Sequence, residues 1–81
     1  MKRIIKFEKE DCRPCVLVNE FLSGKKISYE IVNPFDEPET AIKYKIRSVP
    51  TTLLLENEEV IMRVNGYQPE ELRDMIEVYT L

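Results

Sequence analysis

Asp11-Cys12-Arg13-Pro14-Cys15 joins two stretches of different periodicity. Before it runs Ile4-Ile5-Lys6-Phe7, nearly continuous in apolar character, as a central strand covered on both faces is. After it, Cys15, Val18, Phe21 and Leu22 recur at helical spacing as far as about Gly24. Two thiols separated by two residues therefore stand where a strand hands over to a helix. Free backbone N–H groups and the helix dipole at such a junction favour negative charge, and the thiolate is the reactive form of cysteine. A Cys-x-x-Cys so placed reads as a dithiol–disulfide redox centre. Pro14 sits in the first turn, where a missing N–H costs nothing. Asp11 either caps the helix or merely precedes it. Gly24 is expected to close the helix as its C-terminal cap, with Lys25 and Lys26 where positive charge suits the dipole.

Outward from there, Ile27 to Val32 alternates as a second strand. Asn33-Pro34-Phe35-Asp36 is a loop. Asp36 with Glu39 has the spacing of a capping box, Pro38 lying just inside. The helix so begun runs to about Lys45 and is expected to bury Ala41, Ile42 and Tyr44. A loop from Ile46 to Pro50 leads to a third strand, Thr51 to Glu56. Asn57-Glu58 turns a hairpin without the glycine such turns favour, and Glu59 to Val64 is the fourth strand. Asn65-Gly66-Tyr67-Gln68 then turns into a helix with acidic Pro69-Glu70-Glu71 at its positive end and a buried stripe of Leu72, Met75, Ile76 and Tyr79. The order is βαβαββα, an α/β fold. A parallel first β–α–β unit and an antiparallel final hairpin predict a four-stranded mixed sheet of order 2-1-3-4, helices on both faces, in one domain over 1–81.

Composition narrows the chemistry. With 81 residues, 43% of them hydrophobic and 33% charged, the chain has the balance of a small globular domain. A net charge of -3 gives no pull toward nucleic acid or an anionic membrane. No apolar run approaches a membrane span, and the run after Met1-Lys2-Arg3 ends too soon for a signal peptide, so the cytoplasm is the expected address. The two cysteines close a loop worth roughly 2 kcal/mol on chain-entropy grounds, poor as a staple and suited to opening and closing. With no His in the chain, Ser/His and Cys/His hydrolases are excluded, and two Gly leave no phosphate loop. Zinc wants four ligands, so a zinc or iron–sulfur site needs two chains sharing four cysteines. No cofactor and no resident metal are expected. Lys2, Arg3, Lys6 and Lys9 read as solvated positions. For Lys6 a second reading stays open, in which it lies beneath the cysteines and favours thiolates.

Cys12-Arg13-Pro14-Cys15 after a strand, with Val49-Pro50-Thr51 before another, is similar to thioredoxin. The segment from Ala41 to Thr51 resembles the one that leads into that family's cis-proline loop, and Asn65-Gly66 followed by Pro69-Glu70-Glu71-Leu72 resembles its final turn and helix. The resemblance covers almost the whole chain, without the strand and helix that open a full-length thioredoxin. It looks like a minimal thioredoxin or glutaredoxin-sized redoxin, of the kind also found among phage proteins. Three positions depart from the family pattern: Lys6 stands where a buried Asp is usual, Asp11 where Trp precedes the first cysteine, and Arg13 where Gly precedes Pro14.

The resemblance implies a three-layer α/β/α fold and a protein-disulfide reductase. Cys12 is then the attacking thiol and Cys15 the resolving one. It implies a cis Val49–Pro50 bond, with the Val49 backbone free to pair with a substrate strand. Arg13, Pro14, Val49, Pro50, Gly66 and Tyr67 become substrate-binding, although Tyr67 reads equally as a loop aromatic packed on the last helix. The implied partners are disulfide-containing proteins, ribonucleotide reductase among them, and a thioredoxin reductase-type reductant, with the chain acting as a monomer. A glutathione-dependent glutaredoxin and a non-catalytic binding module of the same fold are the alternatives. Asn65-Gly66-Tyr67-Gln68 is a weak match to a glutathione-holding segment.

Overall fold

Successive strand residues face opposite sides of a sheet, so Ile4, Ile5, Lys6 and Phe7 decide what each layer must cover. In the computed structural model, which describes residues 1–81, β1 (Lys2–Phe7) is followed by α1 (Arg13–Gly24), β2 (Glu30–Val32), α2 (Pro38–Lys43), β3 (Thr51–Glu56), β4 (Glu59–Asn65) and α3 (Pro69–Tyr79). The sheet order is β2-β1-β3-β4, as predicted. β1 runs parallel to β2 and antiparallel to β3, and β3 pairs antiparallel with β4.

Ile4 joins Val18 and Leu22 of α1, Leu72 and Met75 of α3, and Leu54 and Val64 in one core cluster. On the opposite face Ile5, Phe7, Leu53 and Leu55 pack with Tyr44, flanked by Val32, Ile46 and Val49. The result is three layers. α2 adds little to its own side: Ile42 is 76% exposed, contrary to expectation, and the burial comes from Tyr44 and the loop after it. Six residues give less than two turns, so the segment has no room for an inward stripe.

Its end explains how that loop gets inside. The Lys45 N–H donates to the Ile42 carbonyl at 3.1 Å and the Ile46 N–H to the Ala41 carbonyl at 2.8 Å, a Schellman closure with Lys45 at φ 55°. Ile46 thereby turns into the core, while a lysine occupies a left-handed position that glycine fills at lower cost, by about 1 kcal/mol.

Other expectations shift. β2 holds only three residues, because β1 offers partners only to Glu30, Ile31 and Val32. Ile27 and Tyr29 pack against the first core cluster from outside the strand. Asp36 caps nothing: Glu37 is the N-cap of α2, with no side-chain cap bond, and the Asp36 N–H donates to the Asn33 carbonyl at 3.0 Å. At the end of α1, Gly24 is still helical and the left-handed residue is Lys26, φ 56°. The β3–β4 pairing slips between Leu54 and Leu55, whose partners are Met62 and Val60, leaving Ile61 as an extra residue on β4. Asn57 and Glu58 both take positive φ, 52° and 70°, as a two-residue hairpin demands, so the missing glycine did not prevent the turn.

Strand direction decides which loops become neighbours. β1, β2 and β4 finish, and β3 begins, at one end of the sheet, where Phe7 pairs with both Val32 and Thr51 and Thr51 pairs with Asn65. The loop to α1, the Asn33–Asp36 loop, the Val49–Pro50 turn and the Gly66–Tyr67 turn therefore share that end.

Candidate active site

Cys12 is the N-cap of α1, in extended backbone at φ -124°, and its Sγ accepts the Cys15 N–H at 3.2 Å. The capping role lies with the sulfur and not with Asp11, which stands outside the helix at φ 54°. An N-cap atom is aimed at the unpaired N–H groups of the first turn, so whatever charge Cys12 carries is received there. Cys12 and Cys15 form a disulfide with Cα atoms 5.2 Å apart. Cys12 keeps 9% of its surface and Cys15 2%. Both sulfurs are therefore largely enclosed, Cys12 the less so, while Arg13 and Pro14 between them are exposed.

Beneath this pair lies Lys6, fully buried. Its Nζ donates to the Cys15 carbonyl at 2.8 Å and to Glu8 Oε1. Glu8 Oε1 also accepts from Asn19 Nδ2 at 3.0 Å, and Tyr29 donates its hydroxyl to Asn19 Oδ1 at 3.3 Å. The solvated reading of Lys6 is thus corrected. It shares the face of Ile4, and that face is covered by α1, so its stem has no route to water. Burial pulls the Lys6 pKa below 10.5, opposed by the hydrogen bond to Glu8 and by that carboxylate's charge. Thr52, opposite Lys6 in the β1–β3 pairing, is also buried, and its hydroxyl has no hydrogen-bond partner. The sheet beneath the disulfide is polar where its next layer, Ile4 and Leu54, is apolar.

The Val49–Pro50 peptide is cis, as the resemblance implied. The Pro50 carbonyl accepts the Gly66 N–H at 2.8 Å, and Gly66 takes φ 78°, a conformation suited to glycine. Val49 takes part in none of the backbone hydrogen bonds outside the helices and strands. Tyr67 is 36% exposed and belongs to neither core cluster. Pro50 and Gly66 are therefore in direct contact, and Val49 and Tyr67 flank them. All stand at the sheet end from which α1 starts. Sequence reasoning held Lys6 beneath the cysteines only as its second reading, which the structure bears out, and left Glu8 outside the site. The signal was present in the strand pattern, since a central strand covered on both faces offers no solvent side. No group of three or more His, Cys, Asp or Glu side chains comes together within the chain as metal ligands would.

Comparison with known proteins converges on one family. No family model matches the chain. The SPbeta prophage-derived thioredoxin-like protein YosR of Bacillus subtilis is 36% identical over 75 residues, which span 91% of this chain and 94% of that one. The thioredoxin of Buchnera aphidicola is 30% identical over 83 residues, 94% of this chain and 76% of that one. The oxidised thioredoxin of Plasmodium falciparum superposes with a TM-score of 0.84 at 25% identity, covering 99% of this chain and 82% of that one. A cysteine pair capping its helix, a cis-proline turn at the same sheet end and relatives matched over most of their length lead to one conclusion: the chain belongs to the thioredoxin family and is a thiol–disulfide oxidoreductase.

Proposed function

We propose that the chain is a cytoplasmic electron carrier that reduces disulfides of protein substrates, acting as a monomer and regenerated by a thioredoxin reductase-type reductant. In the reduced form, the Cys12 thiolate attacks one sulfur of a substrate disulfide, forming a mixed disulfide and releasing the other substrate sulfur as thiolate. Cys15, deprotonated, then attacks Cys12 Sγ. The Cys12–Cys15 bond closes, the second substrate sulfur leaves, and both released thiolates take protons from solvent. Two electrons pass to the substrate and the carrier ends oxidised. The observation that carries this order is the capping geometry: the Cys12 sulfur is the one aimed at the helix N–H groups.

The unpaired Val49 backbone supports substrate holding by strand addition, which tolerates many sequences. Arg13 and Pro14, with Pro50, Gly66 and Tyr67, supply the surrounding contacts. Lys6 supports the same chemistry from below, its ammonium favouring thiolate at Cys15 and its bond to the Cys15 carbonyl fixing the first turn of α1.

Turnover with insulin tests the reading. NADPH with thioredoxin reductase should sustain it, and NADPH with glutathione and glutathione reductase should sustain it poorly. The reverse pattern would assign a glutaredoxin, and no turnover even with dithiothreitol would leave a binding module. Ribonucleotide reductase is the natural second substrate for the same assay.

Arg13 gives a finer test. Its charge cannot be lost and lies beside the pair, so it favours the dithiol over the disulfide. An exposed charge contributes about 0.2–1 kcal/mol, equivalent to roughly 5–20 mV. The equilibrium potential of Arg13→Gly should therefore fall by about that amount. No change or a rise would overturn the assignment and leave Glu8, Glu10 and Asp11 as the stronger influence.

A further inference from the structure

Two grooves open at the sheet end that holds the disulfide, and they share Arg47 and Ser48. The first, about 420 Å³, runs from Lys9 past Phe35 to Val49. The second, about 470 Å³, is lined by Lys45, Arg63 and Asn65 beside the shared pair, with no apolar residue. Together they present Lys9, Lys45, Arg47 and Arg63 and not one carboxylate, in a chain with 15 acidic residues against 12 basic ones. None of the four cations is in an ion pair. The salt bridges of the molecule are Arg3–Glu30, Arg3–Glu58 and Lys6–Glu8. Arg63 is fixed by donating Nη2 to the Tyr44 carbonyl at 2.6 Å, so its position is built while its charge stays unneutralised. Lys45 is held at the rim in a backbone conformation that favours glycine. Phe35, 75% exposed, adds an apolar wall to the first groove.

Charge of one sign gathered in adjoining grooves focuses a field on what enters them and selects partners more than it adds raw affinity. The Val49 backbone lies at one end of this surface, so a substrate strand laid along Val49 extends its flanking residues into the cationic part. We propose that Lys45, Arg47 and Arg63 select protein substrates whose reducible cysteine is flanked by an acidic segment, Asp or Glu within a few residues, with an apolar side chain against Phe35. This rests on the oxidoreductase reading and names the substrate class of that same site.

The test uses two synthetic peptides with the same disulfide, one flanked by Glu residues and the other by Ser. The readout is the ratio of their kcat/KM values. At low salt the ratio should favour the acidic peptide about tenfold, as expected for three partly screened ion pairs. It should fall toward unity as the ionic strength rises past about 0.5 M and the Debye length drops below the spacing of the contacts. Lys45→Gly and Arg47→Gln should each lower the low-salt ratio about two- to threefold, through KM. Lys45→Gly also relieves the left-handed strain, so its Tm should rise, which separates lost selection from lost folding. Equal kcat/KM for the two peptides at low salt would overturn the proposal while leaving the redox reading intact. Failure to reduce either peptide would sink that reading itself. If millimolar phosphate erases the preference and sodium chloride of matched ionic strength does not, the grooves take a free anion, and the acidic-segment assignment is wrong.

Discussion

Cys15→Ser should stop catalytic turnover and leave the protein covalently joined to its substrate. Removing the resolving sulfur leaves the first step intact, since Cys12 still caps the helix and still attacks. The mixed disulfide then has no internal thiol to discharge it, residue 15 lying with its Cα 5.2 Å from that of Cys12 but carrying no sulfur. Turnover in the insulin assay is expected to drop by more than about 100-fold, the residual rate coming from external thiols in the buffer. A non-reducing gel should show a band at the summed mass that disappears with dithiothreitol. Cys12→Ser should lose turnover equally and show no such band, because Cys15, 2% exposed, cannot reach a protein substrate. Should the trapped species form with Cys12→Ser instead, the two sulfurs have the opposite roles.

Glu8→Ala should be the most destabilising surface-proximal change in the molecule. Lys6 is fully buried and Glu8 is its sole charged partner. Deleting one member of a buried pair strands the other, at a cost of about 3–5 kcal/mol when both are fully enclosed. The Glu8 side chain is 26% exposed, which lowers the expectation to about 2–3 kcal/mol. For a domain of this size that is a Tm fall of roughly 10–20 °C. The double variant Lys6→Met/Glu8→Ala should recover most of the loss, since an apolar side chain of similar length then fills the space. If the double variant is no more stable than Glu8→Ala, the pair is not what holds this region.

The same lysine sets a pH dependence whose sign comes from its environment. Burial lowers the Lys6 pKa in the folded state below the 10.5 of the unfolded chain. Below the folded value both states are protonated and folding carries the full penalty of burying an ammonium. As pH rises from the folded value toward 10.5 the native state loses its proton first, the unfolded state binds more protons, and stability rises. Urea midpoints of wild type against Lys6→Met, measured from neutral pH to about 10.5, should therefore converge or cross in favour of wild type. A difference that stays flat or moves the other way would show that Lys6 is not desolvated.

Much of this architecture was readable from periodicity. Ile4, Ile5 and Phe7 marked a central strand, the Cys15–Leu22 stripe a helix, and the parallel-then-hairpin logic gave the sheet order. What escaped depended on tertiary partners. β2 looked like six residues because Ile27, Tyr29 and Ile31 alternate, yet the length of a strand is set by its neighbour. Asp36 and Glu39 had the spacing of a cap, but the chain turned one residue later, at Glu37. Gly24 was the obvious helix stop, and the left-handed step fell on Lys26. Of the two readings of Lys6 the solvated one failed, because it weighed a single lysine by its own habit and not by the strand it occupies: the pattern that made β1 central left that side chain nowhere to go. The groove cations were scattered in sequence, at Lys9, Lys45, Arg47 and Arg63, and only the fold brings them to one end.

The borders of the sheet carry a last consequence. β2 offers three residues and β4 carries an extra residue at Ile61, so neither lateral strand presents a long, regular row of free amides. Such rows are what let identical molecules zip together into fibrils. A small sheet with two open borders runs a constant hazard of pairing with copies of itself. Here the flanks are cropped on one side and kinked on the other, which restricts strand-to-strand adhesion at crowded concentrations. Trimming the bulge by deleting Ile61 would lengthen the regular stretch, and with it the tendency to self-associate.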